Sequence, residues 1–195
     1  MLIFVISITI TCLVIAAIQQ ILLPLLARYV LGDGQSALLW LCNQFYVRFF
    51  HHIQAFGIEA IPRVVFPGKL IVVCKHQSPI DPLLVQSQCR FKIRWLMAKE
   101  YMIPSLNFVW QSAEIIPVAR DGQDTTGLRL ALRHLKNDGV IGIFPEGGIK
   151  QPREAIHPFA EGVGAMIEHS KAPVLLATVD GTPQNDEMDT AMFER

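Results

Sequence analysis

The chain has 195 residues, enough for one domain with a sizeable core. Its 17 basic residues balance 17 acidic ones, so no net field draws it to nucleic acid, while a hydrophobic share of 51% is high for a domain that meets only water. The four cysteines, Cys12, Cys42, Cys74 and Cys89, form no Cys-x-x-Cys pair and lie in apolar runs, which argues against both a disulfide framework and a metal site.

The apolar excess is concentrated at the front. From Leu2 to Ala27 there is no charged side chain. As a helix, these roughly 26 residues reach about 39 Å, more than the ~30 Å hydrocarbon layer of a bilayer. Gln19, Gln20 and Pro24 interrupt the run, so a spanning helix and a kinked, re-entrant one both fit. A cleaved signal peptide fits poorly, with no basic stretch before the apolar run and no small-residue cleavage site after it. Next, `SALLWLCNQFYVRFFHH` predicts a helix with a narrow polar stripe at Gln44, Arg48 and His52. Its aromatic residues suit a helix lying at the headgroup level, and they equally suit one packed on the main domain. His51 and His52 point about 100° apart on a helix, which is unsuited to a shared metal.

We therefore divide the chain into membrane-anchoring helices over residues 1–52 and an α/β domain over residues 53–195. Beyond residue 53, apolar strands alternate with helical patterns: `KLIVVCKH` (strand), `SPIDPLLVQSQ` (helix start), `FKIRWLMAK` and `AEIIPVAR` (strands). There follow `TTGLRLALRHLKNDG` (amphipathic helix ended by Gly139), `VIGIFPEGG` (strand and glycine loop), `FAEGVGAMIEHS` (helix) and `APVLLATVDG` (strand). The pattern predicts a mixed, largely parallel sheet flanked by helices, with ligands beyond the carboxyl ends of its strands. His76, Arg120 and Glu146 all fall at such ends. The polar end, `TPQNDEMDTAMFER`, reads as solvated.

Ser78-Pro79-Ile80-Asp81 reads as a helix entry, with Ser78 as N-cap, Pro79 at the first position and Asp81 at the third. Asp81 then does no more than cap a helix, or it also receives His76, which sits in the turn just before. In the second case the carboxylate accepts the proton on one ring nitrogen and leaves the other as a base. No Ser or Cys nucleophile is needed when the group deprotonated is a substrate hydroxyl.

`KHQSPID` resembles the His-x4-Asp signature of the glycerolipid acyltransferases, the group that contains bacterial 1-acyl-glycerol-3-phosphate acyltransferases. Three further stretches resemble that family's blocks in its order: `MAKEYMIPSLNFVWQSAEIIPVAR` ending at Arg120, `IGIFPEGG` with its core at Phe144 to Gly147, and `PFAEGVGAMIEHSKAPVLLATVDGT`. The resemblance runs over roughly residues 55–182. It implies that His76 is the general base and Asp81 its orienter. The acceptor is a lysophospholipid, and the acyl donor is acyl-CoA or acyl-carrier protein. No metal or other cofactor is implied.

By the same resemblance, Arg120 holds a glycerol phosphate; otherwise it is a solvated strand end or pairs with Asp121. Glu146 bonds glycerol hydroxyls or orients Arg120, or it merely starts a helix. Gly147 and Gly148 let backbone amides approach a ligand, and they share with Pro79 to Asp81 the role of candidate oxyanion donors. Lys99 lies near the site by alignment or is a surface lysine. Arg90, Lys92 and Arg94 alternate onto one side of a strand, where they face anionic headgroups or an acidic carrier protein, or are simply solvated.

The chain departs from the family in having Gly148-Ile149 where threonine and arginine are usual, with Lys150 next. It also stops soon after the last strand, where relatives often carry more sheet and helix. The expected reaction is acylation of 1-acyl-sn-glycerol-3-phosphate to phosphatidic acid. A different lysolipid acceptor is one alternative, and a lipid-binding homologue that has lost catalysis is another. Arg28 and the basic residues after the anchor place the catalytic part on the cytoplasmic side, and the compact layout suggests a bacterial inner membrane.

Overall fold

A computed structural model describes residues 1–119, 125–153 and 155–194. The first helix, α1 (Leu2–Ala17), passes through a widened π-helical turn at Ile18–Leu22 into α2 (Leu23–Ala27). The widened turn lies where the ring of Pro24 would strike the carbonyl four residues back, so the helix continues instead of breaking. Phe4–Ala27 is long and apolar enough to cross a membrane, and it touches the rest of the protein at its end, where Leu26 packs against Val30, Leu31 and Ala37. Its hydroxyls bond within the helix, Thr9 Oγ1 to the Val5 carbonyl and Thr11 Oγ1 to the Ser7 carbonyl, each at 2.9 Å. Such internal pairing suits a medium with no water to offer.

Helix α3 (Gly34–Tyr46) is capped by Asp33, whose carboxylate accepts from the Ser36 N–H at 2.8 Å. Its polar face turns inward. Ser36 donates to the Ser112 carbonyl at 2.9 Å, Trp40 Nε1 to that of Cys89 at 3.1 Å, and Asn43 to that of Leu83 at 2.8 Å. Gln44 donates to the carbonyl of Ser87. The apolar face, with Leu38, Leu41, Phe45 and Phe49, is exposed. Of the two expected placements, packing on the main domain is the one observed, and the opposite face presents apolar groups outward. The expected stripe of Gln44, Arg48 and His52 does not form. A π-helical turn at Val47–His51 rotates the chain, puts Val47 into the core and leaves Arg48 and His52 exposed.

The remaining elements build the sheet: β1 (Leu70–Cys74), α4 (Asp81–Ser87), β2 (Arg94–Ala98), α5 (Asn107–Ser112), β3 (Ile116–Val118), α6 (Thr126–Lys136), β4 (Val140–Ile143), α7 (Glu161–Ser170), β5 (Val174–Ala177) and α8 (Met188–Phe193). The strand order is β3-β2-β4-β1-β5, and every pairing among the described residues is parallel. The expected α/β sheet flanked by helices is therefore present. All five residues of β1 are buried, as expected for a strand covered on both faces. One face packs Ile71, Val73, Ile141 and Ile143 against α6 and α7; the other packs Val72, Cys74 and Val140 against Val85 of α4 and Trp95.

Gly142 sits opposite Trp95 in β2, and a Cβ there would lie 2.4 Å from the indole. Only glycine lets that ring lie flat on the strand. Helix α6 ends earlier than its glycine suggested. Asp138 takes the left-handed position, while Gly139 makes room for the His134 ring, 2.2 Å from where a Cβ would stand.

Two surface expectations are corrected. The end of the chain is only partly solvated, because α8 buries Ala191 against Val47, Ile80 and Leu84, and Tyr46 donates to the Met192 carbonyl at 2.9 Å. Ala191 and Met192, with Met188 three residues before, supply a short apolar face that the acidic composition masks. The basic stripe is broken up too: Arg90 is exposed and lies with Lys92 before the strand, while Lys92 and Arg94 are paired. Lys92 pairs with Asp33 at 2.6 Å and Glu114 at 3.0 Å, and Arg94 Nε donates to the Glu114 carbonyl at 2.8 Å. Burial works against the Asp33 carboxylate, but the Lys92 and Ser36 contacts together outweigh it and hold that group below its usual range.

Candidate active site

Strands β1 and β4 are neighbours, yet the helices that follow them, α4 and α7, lie on opposite faces of the sheet. Their connections diverge at the carboxyl ends of these two strands, the usual ligand position in such sheets. His76 follows the end of β1 and Glu146 the end of β4, so both stand at this point of divergence.

The His76 Nδ1 lies 3.0 Å from Asp81 Oδ2. The same oxygen accepts the backbone N–H of Gln77 at 2.7 Å and that of Ser78 at 2.8 Å. A carboxylate without its proton only accepts, so in the neutral ring the hydrogen sits on Nδ1 and Nε2 keeps its lone pair. The Asp81 side chain is fully buried and that of His76 is 18% exposed, so the anion is shielded and the ring is reachable.

These contacts correct the predicted helix entry. Asp81 opens α4 itself, with Ile80 as the cap residue, and Ser78 does not cap. The reason is that the carboxylate reaches back to the amides of residues 77 and 78, closing a turn ahead of the helix. Pro82, which has no N–H to satisfy, fills the first turn in place of Pro79. Two candidate oxyanion donors are also spent, since Asp81 N–H donates to the Ser78 carbonyl and Gly147 N–H to that of Phe144, both at 3.1 Å.

The His76 ring stacks on Phe144 with centroids 3.9 Å apart and planes 18° from parallel, and Phe144 stacks on Trp95 at 4.9 Å. A ladder of flat groups thus rises from Gly142 through Trp95 and Phe144 to the imidazole. It restricts rotation about the ring's side-chain bonds while the Asp81 contact sets its tilt. Phe144 was legible only as part of a motif, because its role depends on β4 lying beside β1.

Glu146 is buried, 6% exposed, in the loop after β4. Gly147 follows at φ +72°, a conformation that favours glycine, and has nothing within 4 Å of a would-be Cβ. Gly148 and the exposed Lys150 continue this loop. Lys99 is exposed in a 3₁₀ turn at the carboxyl end of β2, on the same rim. Arg120 lies outside the described residues. Burial pushes the Cys74 thiol up to about 12, with the Asp81 charge adding to the shift, so this sulfur stays protonated and is no nucleophile. No group of three or more His, Cys, Asp or Glu side chains suited to a metal occurs among the described residues.

Residues 52–179 match the family model described as Acyltransferase. A solved structure, the 1-acyl-sn-glycerophosphate (LPA) acyltransferase PlsC from Thermotoga maritima, is similar in fold, with a TM-score of 0.57 and 23% sequence identity. The match covers 72% of this chain and 57% of that one, so this chain spans little more than half the length of the structure it resembles.

Proposed function

The chain belongs to the Acyltransferase family, and from that premise we propose that it moves a fatty acyl group from acyl-CoA or acyl-carrier protein to the free hydroxyl of 1-acyl-sn-glycerol-3-phosphate, giving phosphatidic acid. The observation that carries this reading is the 3.0 Å contact between His76 Nδ1 and Asp81 Oδ2, which leaves Nε2 free as a base. Nε2 takes the acceptor's hydroxyl proton as its oxygen attacks the thioester carbonyl. The tetrahedral intermediate collapses, the C–S bond breaks, and the leaving thiolate receives the proton from the imidazolium. Asp81 stabilises that imidazolium and does not itself take up the proton.

In this proposal Arg120 binds the acceptor phosphate as a planar, permanently charged fork, and Lys99 adds a cation on the same rim. Glu146 bonds glycerol hydroxyls, and the loop at Gly147 and Gly148 lies along the ligand. No cofactor takes part beyond the acyl donor. The apolar helix Phe4–Ala27 and the outward face of α3 hold the protein in a bilayer, with the carboxyl ends of β1 and β4 on the cytoplasmic side of a bacterial inner membrane.

A second acceptor is favoured by one feature. Gly148 and Ile149 stand where a hydroxyl and a cation are usual in the family, which suits a lysolipid whose headgroup is not a bare phosphate.

The test supplies purified protein with labelled oleoyl thioesters, on CoA and on carrier protein, and a panel of lysolipids. Label in phosphatidic acid alone supports the first reading, and label in another phospholipid supports the second. No product with any acceptor overturns both and leaves a lipid-binding protein without catalysis.

A further inference from the structure

Arg153 is buried, 3% exposed, and no motif drew attention to it. Its Nη1 donates to the carbonyl of Gln77 and, at 3.5 Å, to that of Pro183; its Nη2 donates to the Gln184 carbonyl at 2.5 Å and pairs with Asp186 at 2.6 Å. Both terminal nitrogens are thus paired while the buried Nε has no partner, and a guanidinium taken out of water at this cost serves a specific geometry.

The geometry concerns one peptide unit. The carbonyl of Gln77 and the N–H of Ser78 belong to the same planar group. Its oxygen accepts from Arg153, and its N–H donates to Asp81 Oδ2, the oxygen that also holds His76. A cation on the carbonyl polarises the N–H and fixes the plane on which Asp81 hangs. We infer that Arg153 is a positioning residue for the proposed reaction. It orients the His76–Asp81 pair through the Gln77–Ser78 peptide and anchors that peptide to the segment over residues 183–186. The inference rests on the acyltransfer reading above, yet one of its readouts does not.

Arg153→Lys keeps the charge and most of the stem but cannot fork between two anchors. We expect kcat to fall about tenfold or more, with KM for the acceptor within about twofold, since a small misplacement of a catalytic group costs rate and not binding. Nitrogen-15 spectra of the His76 ring should pass from one tautomer, Nδ1–H, to a mixture. Asp186→Ala, at a 68% exposed side chain that does not threaten folding, should lower kcat about threefold in the same pattern.

The inference is overturned if folded Arg153→Lys keeps the parental kcat and single tautomer. Should that chain not fold, parental values in Asp186→Ala overturn it. A parent that transfers no acyl group to any acceptor sinks the proposed function instead, and the tautomer comparison between parent and variants still decides the role of Arg153.

Discussion

The front of the molecule and the rim of its sheet each invert the usual distribution of side chains, and they do so in opposite senses. Over Phe4–Ala27 and the outer face of α3, large apolar side chains stand exposed while hydroxyls and amides turn inward onto carbonyls. At the ends of β1 and β4, a carboxylate, a guanidinium and a glutamate are buried. On the proposed membrane placement the first inversion has its solvent as cause, because exposed apolar faces of this size are unfavourable in water. In the second, fixed partners hold the Asp81 and Arg153 charges, as burial of a charge requires. On the proposed function a lipid substrate uses both: one region sits in the bilayer, and the other presents a base at its surface.

The largest expected effect breaks the rim alone. His76→Ala should lower turnover by about a thousandfold or more, as for loss of a general base, while sedimentation with vesicles stays at the parental level. Activity within a few-fold of the parent refutes the assignment of the base. Asp81→Asn should cost about a hundredfold or more, since an amide can present a donor to Nδ1 and favour the wrong tautomer. A smaller loss would reduce Asp81 to a turn-closing residue.

Gly142→Ala reaches the site indirectly. Its Cβ would push on Trp95 and, through Phe144, on His76. We expect thermal denaturation to show a loss of about 2 kcal/mol, typical of overpacking, with reduced kcat and little change in KM. Phe45→Ser with Phe49→Ser should break the front alone, lowering partition into vesicles several-fold and sparing turnover in detergent.

The smallest effect is on pH dependence. Burial raises the Cys74 and Cys89 thiols from 9.0 to about 12. Above about pH 9 the unfolded chain gives up these protons and the folded chain keeps them. Stability present below pH 9 is therefore lost as pH rises toward 12, and denaturant titrations across that window should show it.

Much of this was legible in the sequence because it is local. Apolar runs marked the strands, and five residues with a Ser-Pro turn brought His76 to Asp81. The misreadings arose where distant contacts or a single rotated turn decided the outcome. Asp81 satisfied residues 77 and 78 and so displaced Ser78 as cap. The π turn at Val47–His51 broke the stripe expected from Gln44 to His52, and α8 hid its apolar face in an acidic stretch. Arg153 joins residues more than 70 positions apart in one contact, and no local pattern carries such a signal.

The claim on which the rest depends is that Asp81 holds the His76 ring with its outer nitrogen bare. Nitrogen-15 spectra of the ring in the whole protein, in detergent micelles at neutral pH, measure this directly. We predict a hydrogen on Nδ1 and a lone pair on Nε2, with the Nε2 signal moving when 1-acyl-glycerol-3-phosphate is added. A hydrogen found on Nε2, with Nδ1 bare, would contradict the account.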